Sequence, residues 1–264
     1  MYTPQVGISL GGTARSTYCL PEERRANCIA RRGRRAARLA TVGLTAHAGW
    51  ADGSFERIRP ILIFQGAGDL KEEMLLELAA ASLEADVMWD FSPSAWMNAD
   101  IFAAYVKGVV GEWGSTRLDG RRTLLLCDAC GTTHHTPHVR AVAAEHNIEL
   151  LIGPANLTGK YQPVDFAIGK QLKYLVGQSF EKWLEKPRNR RRWTRRWGRG
   201  RVTLQEKRLL LIKWVAKAWD YMHAHNQKLL SAAWRRTGCG LAADAPHVVE
   251  IQGVPDYKID DLYA

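Results

Sequence analysis

The stretch LLLCDACGTTHHTPH (Leu124–His138) concentrates cysteine, histidine and aspartate, the residue types that bind metals. Cys127 and Cys130, followed by His134 and His138, supply four soft or borderline ligands, the number that tetrahedral Zn²⁺ takes. The spacing argues against zinc, because a zinc finger separates its two ligand pairs by about a dozen residues and the interval from Cys130 to His134 is far shorter. Cys127 also ends an apolar run, where a small buried thiol is ordinary core.

The same stretch supports a second interpretation, in which Asp128 is the functional group and the sulfurs are incidental. Asp128 directly follows the apolar run Thr123–Cys127, a predicted buried strand, and α/β sheets place their sites at the carboxyl ends of strands. Asp165 follows the next predicted strand, Ile148–Ile152, and a loop. Two aspartates at one sheet edge would offer hard oxygen ligands, which suit Mg²⁺ or Mn²⁺ rather than zinc.

The elements that must position these residues are predicted from apolar periodicity. Asp52-Gly53 is a turn signal between two β-rich runs and predicts a hairpin. Ser94 is a candidate cap for a helix, and Pro137 can begin another. In chain order we first predict hairpin strands over Leu39–His47 and Ile58–Phe64, a helix over Lys71–Glu84, a strand over Asp86–Phe91 and the helix after Ser94. Two strands follow over Thr123–Cys127 and Ile148–Ile152, with a helix over His138–His146 between them. The last elements are a helix over Asp165–Lys186 and one long helix or a pair over Leu204–Trp234. This order is typical of an α/β layer fold with a mixed sheet.

The net charge of +10 favours polyanions as partners. The arginines concentrate in Arg24–Arg38 and Arg188–Arg201, and neither segment contains an acidic residue. In the second segment two tryptophans interrupt the arginines, and such rings can stack on bases while the guanidinium groups hold phosphates. A nuclear-import signal needs the same residues, so the segment predicts a nucleic-acid partner or, in a eukaryote, a nuclear protein. The predicted contacts here are Arg190, Arg191, Arg192, Trp193, Arg195, Arg196 and Trp197.

Two other classes of protein are disfavoured. Apolar runs such as Ile61–Phe64 are far below the ~20 residues that a membrane span needs, so no membrane partner is expected. The glycine-rich pieces fit neither GxxxxGK[ST] nor GxGxxG, so no small-molecule cofactor is expected.

The residues around the two aspartates resemble a known family. LLLCDACGTTHH and NIELLIGPANLTGKYQPVDFAIGKQLK resemble the DDE superfamily endonuclease domain of pogo-like transposases in the Tc/mariner group. ADGSFERIRPILIFQG resembles the hairpin of that family, and SAWMNADIFAAYV its Trp-Met helix. The residues that match the block around the third carboxylate are Ile148, Leu150, Pro154, Thr158, Gln162, Pro163 and Asp165, with Lys170 and Lys173 following.

The resemblance implies a ribonuclease H-like fold, a mixed sheet flanked by helices, in which three carboxylates hold two divalent metals for phosphodiester chemistry. Asp128 would be the second metal ligand and Asp165 the third, with Mg²⁺ or Mn²⁺ as the cofactor and no zinc. Lys170 and Lys173 would contact nucleic acid. His134 stands one residue later than the usual histidine of the family, so either His134 or His135 is the candidate for supporting the site, together with Gln162.

One departure from the family pattern affects the expected activity. The family places its first aspartate in a context like Asp-x-Thr-Pro, and in MYTPQV the corresponding residue is Met1. We therefore expect an incomplete first strand, weak metal binding and impaired catalysis, with Thr3–Leu10 needed for pairing. Whether the chain is an enzyme stays open, and the alternative is a domesticated, non-enzymatic protein that binds DNA or a partner. The expected organisation is an endonuclease-like domain over 1–186, a basic segment over 187–203, and a helical C-terminal extension and tail over 204–264.

Overall fold

The computed structural model describes residues 2–3, 5–8, 40–49, 54–83, 86–117, 121–128, 133–134, 136–153, 161–195 and 198–237. Strands and helices are interspersed along these ranges, as a mixed α/β fold requires. The strands are β1 (Tyr2–Thr3), β2 (Gln5–Ile8), β3 (Ala40–Gly43), β4 (Ile61–Gln65), β5 (Met88–Ser92), β6 (Thr123–Cys127) and β7 (Ile148–Ile152). The helices are α1 (Glu72–Ala80), α2 (Ala99–Tyr105), α3 (Glu112–Arg117), α4 (Pro137–Glu145), α5 (Gly169–Glu185), α6 (Pro187–Thr194), α7 (Leu204–His225) and α8 (Gln227–Arg236), and π-helical segments precede α3 (Val106–Gly111) and α5 (Val164–Ile168).

The described strands form two small sheets that share the N-terminal segment. In the first sheet, β6 lies between β1 and β7 and all pairs are parallel. In the second, β2–β3 and β3–β4 are antiparallel and β4–β5 is parallel. Tyr2 pairs with Leu126 and Gln5 pairs with Gly43, so the N-terminal strands supply backbone partners to β6 and to β3. The pairing expected of Thr3–Leu10 is therefore present at Thr3 and over β2.

The hairpin prediction is confirmed, because β3 and β4 run antiparallel and an isolated bridge joins Ala46 to Arg57 beyond them. Its turn signal at Asp52 lies outside the described residues. The strand predicted over Thr123–Cys127 has those bounds in the structure, and the predicted strand over Ile148–Ile152 likewise. Pro137 begins α4 as predicted, after Thr136, whose Oγ1 accepts a hydrogen bond from the amide of Val139 (3.3 Å).

The cap predicted at Ser94 is wrong. Helix α2 begins after Asn98, whose Oδ1 accepts a hydrogen bond from the amide of Ile101 (2.9 Å). Ala95 has a φ of 57°, a left-handed conformation that cannot belong to a right-handed helix, so a helix capped by Ser94 is excluded. Both residues are good caps by type, and the backbone at Ala95 decides between them.

The predicted helical region over Leu204–Trp234 is a pair, since Asn226 separates α7 from α8. Thr203 and Glu206 form a capping box at the start of α7, with Thr203 Oγ1 accepting from the amide of Glu206 (3.1 Å). Trp214 and Trp219 are buried and belong to the apolar cluster that also contains residues of β3, β4 and α5. The C-terminal helices thus pack on the same core as the sheet.

A second apolar cluster lies where β4, α2, β6 and α4 meet. It includes Phe102, Val139 and Leu125, all fully buried, and it fixes β6 against the helices on either side. Among the described helices, none combines the length and apolarity needed to cross a bilayer.

Candidate active site

Asp128 stands at the carboxyl end of β6, where the buried part of the strand ends. Leu125 and Cys127 are fully buried, so β6 is anchored in the core up to the residue before Asp128. The amide of Gly153, just after β7, donates to the carbonyl oxygen of Cys127 (3.0 Å) and ties the two strand ends together. The side chain of Asp128 is 25% exposed, which places the carboxylate at the boundary between core and solvent.

His134 contacts Asp128 directly. Its Nδ1 lies 2.6 Å from Oδ1 of Asp128 and 3.3 Å from the carbonyl oxygen of the same residue. The ring is fully buried and packs on Phe102, with ring centroids 4.2 Å apart. The hydrogen bond of Nδ1 is with the carbonyl oxygen of Asp128, and the close approach of the ring to Oδ1 restricts the orientation of the carboxylate. Of the two predicted alternatives, the structure brings His134 to Asp128, and His135 lies outside the described residues.

Asp165 lies in the π-helical segment at the start of α5, half-buried. Burial raises its pKa above the ordinary value for aspartate, and the negative charge of Asp128 raises it further. Lys173 and Lys170 act in the opposite direction without cancelling this shift. The charge of Asp128 therefore acts on Asp165, and a shared metal site for the two carboxylates stays a prediction.

A contact that the sequence reasoning missed joins the segment before Asp165 to the sheet. The ring of Tyr161 lies against the backbone of Gly153, so closely that a Cβ at position 153 would stand 2.2 Å from ring atoms of Tyr161. Gln162, the next residue, is fully buried and donates from Nε2 to the Tyr161 hydroxyl (3.0 Å). The predicted support residue Gln162 is thus held by Tyr161 at the ends of β6 and β7. A glycine directly after a predicted strand was the available signal for such a close approach.

Cys127 has the environment of a core residue. It is fully buried among apolar side chains, and burial raises the pKa of its thiol well above the ordinary range. A zinc ligand must be a thiolate, which this environment disfavours. Cys130, the other cysteine of the zinc interpretation, lies outside the described residues.

The oxygen donors at this edge fit a hard divalent cation in kind. Asp128 and Asp165 supply carboxylates, and Oε1 of Gln162 is buried without a hydrogen-bond partner among the described residues. In those same residues, no three His, Cys, Asp or Glu side chains come close enough together to hold a metal ion. The predicted metal site therefore stays a prediction, with two carboxylates and one amide oxygen as its candidate donors.

A comparison with protein families identifies the relationship. The model of the DDE superfamily endonuclease matches residues 41–234, which include both aspartates. The chain belongs to this family. Searches of curated proteins and of solved structures gave no match. The DDE domain is a nuclease-like domain of transposase type, and enzymes of this family generally use Mg²⁺ or Mn²⁺.

The basic segment of the DDE domain contains α6 and carries both exposed and paired arginines. Arg190, Arg191 and Arg195 are exposed. Arg192 instead forms an ion pair with Glu206 and is half-buried. Arg196 and Trp197 lie outside the described residues.

Trp193 packs at the edge of the helical core of the DDE domain. Its ring contacts Phe180 and Trp183 edge-on, with centroids 4.8 Å and 5.9 Å away. The ammonium group of Lys207 lies 4.7 Å from the centre of the Trp193 ring. A base-stacking role for Trp193 stays a prediction, and the observed contacts give the ring a packing role.

Proposed function

We propose that the chain is a transposon-derived DDE endonuclease-like domain of the pogo-like group, with a ribonuclease H-like fold, that binds DNA through its basic surfaces. The observation that supports this most is the electrostatic setting of Asp165, whose pKa is raised by burial and then by the negative charge of Asp128. A protein gains no stability from two like charges placed together, so their proximity is better explained by a bound cation.

In this proposal Asp128 and Asp165 hold a divalent cation, with Gln162 Oε1 as an additional oxygen near them. When bound, such a cation activates a water or hydroxyl and stabilises the leaving oxygen of a phosphodiester. His134 keeps the Asp128 carboxylate in one orientation through its 2.6 Å contact. Lys170 and Lys173, both exposed on α5, attract the phosphates of the substrate strand.

We further propose that this activity is impaired in the chain of this sequence. By resemblance the first metal ligand would stand at the position of Met1, which has no carboxylate. Two carboxylates should hold a divalent ion more weakly than three, because each carboxylate adds both an oxygen ligand and a negative charge. DNA binding by the exposed arginines of α6 does not depend on this ligand, and it is the function we expect to persist in a nuclear protein.

The test combines binding and cleavage in one preparation. Wild-type protein, Asp128→Asn and Asp165→Asn are compared for binding of a labelled duplex and for nicking of supercoiled DNA with Mg²⁺ or Mn²⁺. We expect all three proteins to bind the duplex. A fourth chain carries an aspartate in place of Met1, preceded by a short leader, and we expect the wild type to nick supercoiled DNA far more slowly than this chain. Nicking that both substitutions leave unchanged would contradict the assignment of the site.

The alternative function is a domesticated, non-enzymatic protein that binds DNA or a partner. The exposure of Arg190 and Arg191 on α6 is the observation that favours it, since these side chains are free to meet phosphates without any metal. Duplex binding that Arg190→Gln/Arg191→Gln weakens, together with no nicking by the Met1→Asp chain, would favour this alternative over an impaired enzyme.

A further inference from the structure

Helix α5 carries an exposed aromatic side chain on the surface that leads away from Asp165. The side chain of Tyr174 is 58% exposed, more than most large hydrophobic side chains among the described residues. Its hydroxyl accepts a hydrogen bond from Nε2 of Gln178, one turn later (2.8 Å). This contact limits the rotation of the tyrosine side chain while most of the ring stays in water.

Two lysines lie on the same face of α5 as this ring. Lys170 is four residues before Tyr174 and lies beside it, whereas Lys173 is turned about 100° from it around the helix, so the two lysines and the ring share one broad face. Both are exposed, and both lower the pKa of Asp165, so their charges act at the candidate site. The face therefore presents two cations and one aromatic ring, and Lys170 is the member nearest to Asp165 along the chain.

The next position on this face is Gly177, and none of the described residues around it requires a glycine there. A Cβ at Gly177 would meet no heavy atom within 4 Å, and the residue lies inside α5. Glycine destabilises a helix interior relative to alanine, and here no neighbouring side chain needs the space. A glycine of this kind is expected where a ligand approaches the backbone closely. Glu181 ends the basic part of the face one turn later.

We propose that this face of α5, defined by Lys170, Lys173, Tyr174 and Gly177, binds an unpaired nucleotide of a polynucleotide strand. The base stacks on the Tyr174 ring over Gly177, and the two lysines hold the adjoining phosphates. At a rise of about 1.5 Å per residue, Tyr174 lies about 13 Å along the helix from Asp165, so the stacked base lies beside the reacting phosphodiester and not at it. The inference rests on the proposed function, because it names the form of nucleic acid that reaches that site.

The test measures binding of a fluorescent single-stranded oligonucleotide and of a blunt duplex of the same length by anisotropy. Tyr174→Leu should weaken single-strand binding by about tenfold, the loss of one stacked base, and should change duplex binding by less than about twofold. Tyr221→Leu is the matched control, since Tyr221 is also a helical tyrosine and is 48% exposed, on α7. Tyr174→Trp should retain single-strand binding because it keeps an aromatic face.

A second variant separates binding from folding. Gly177→Ala should raise the melting temperature, because alanine favours the helix, and at the same time weaken single-strand binding several-fold by blocking the approach. A gain in both stability and binding would overturn the proposal.

The outcomes distinguish this inference from the proposed function. If the wild type binds neither oligonucleotide, the proposed function itself fails. If binding is strong but Tyr174→Leu behaves like Tyr221→Leu, only the stacking proposal is overturned. An equal loss on duplex and single strand would also overturn it, because the face would then contact paired DNA.

Discussion

Two pairs of aspartates in this protein have opposite electrostatic surroundings. Asp86 and Asp220 come from distant parts of the chain, and the guanidinium group of Arg57 donates to both. Asp128 and Asp165 also come from different elements, but burial and Asp128 together raise the pKa of Asp165 in spite of two lysines nearby. The first pair shares a cation of the same chain, the guanidinium group of Arg57. In the proposed function, the second pair receives its cation from solution.

Under the proposed function, the difference separates acidic residues that stabilise the fold from acidic residues that bind a metal. A carboxylate that is paired with an arginine of the same chain lowers the free energy of the folded state modestly. Like charges brought together raise it, and such an arrangement persists at sites where the cost is offset by binding. Each prediction below perturbs one side of this comparison.

The largest expected effect comes from the packing that holds the second pair. Gly153→Ala would place a Cβ 2.2 Å from the Tyr161 ring and should destabilise the protein by about 2 kcal/mol, as other overpacking substitutions do. Chemical denaturation measures this. Gly114→Ala is the matched control, since its Cβ would have only ordinary contacts at 3.5 Å. Gly153→Ala in a Tyr161→Ala background should add no further cost, and an added cost equal to that in the wild type would disprove the contact.

The next effect tests the first pair. Arg57→Met keeps much of the side-chain volume and removes the charge between Asp86 and Asp220, so we expect a loss of about 1 kcal/mol, moderated by the solvent exposure of all three groups. The loss should fall when Asp86→Asn is combined with it. An Arg57→Met variant as stable as the wild type at low salt would show that this pair does not stabilise the fold.

The opposite sign is expected for the second pair. Asp165→Asn removes a carboxylate whose pKa is raised by burial and by Asp128, so the variant should melt higher than the wild type near neutral pH, by the order of 2 °C. Differential scanning calorimetry without divalent cations provides the measurement. Asp86→Asn should lower the melting temperature in the same experiment. A lower melting temperature for Asp165→Asn would remove the electrostatic contrast.

The effect that vanishes at neutral pH is a pH dependence outside both pairs. Burial lowers the pKa of His47 to about 4, from 6.5 in the unfolded chain. Between these values the unfolded state binds a proton that the folded state does not, so stability rises as the pH increases from 4 to 6.5 and is then constant. His47→Phe keeps a ring against Trp113 (5.2 Å between the wild-type ring centroids). In this variant the melting temperature should depend less on pH in this window. Equal slopes for both proteins would contradict the assignment.

The strand ends of the site were predictable from sequence, whereas the contacts between them were not. A short apolar run predicted β6, whose bounds the structure confirms, and the roles of Asp128 and Asp165 after the strands stay predictions. The choice between His134 and His135 depends on the path of the loop after β6, which adjacent identical residues cannot encode. The contact of Tyr161 with Gly153 crosses a loop and depends on backbone approach, for which a glycine is only a weak signal.

Two further interpretations depend on tertiary structure: the cap at Ser94, which is wrong, and the role of Trp193, which stays a prediction. Ser94 and Asn98 are both suitable caps, and the left-handed conformation of Ala95 selects the second. Trp193 has the spacing of a base-stacking residue, yet it also meets Phe180 and Trp183, which lie on the preceding helix. Aromatic residues next to arginines suit both packing and nucleic acid, so their type and spacing alone do not separate the two roles.

The most direct test of the central claim is a titration with Mn²⁺, followed by the paramagnetic signal of the free ion. Wild type and Asp86→Asn should bind one ion with the same affinity, whereas Asp128→Asn and Asp165→Asn should each bind at least about tenfold more weakly, as loss of a carboxylate ligand predicts. Binding that is unchanged by both site substitutions, or weakened equally by Asp86→Asn, would show that Asp128 and Asp165 do not form a metal site.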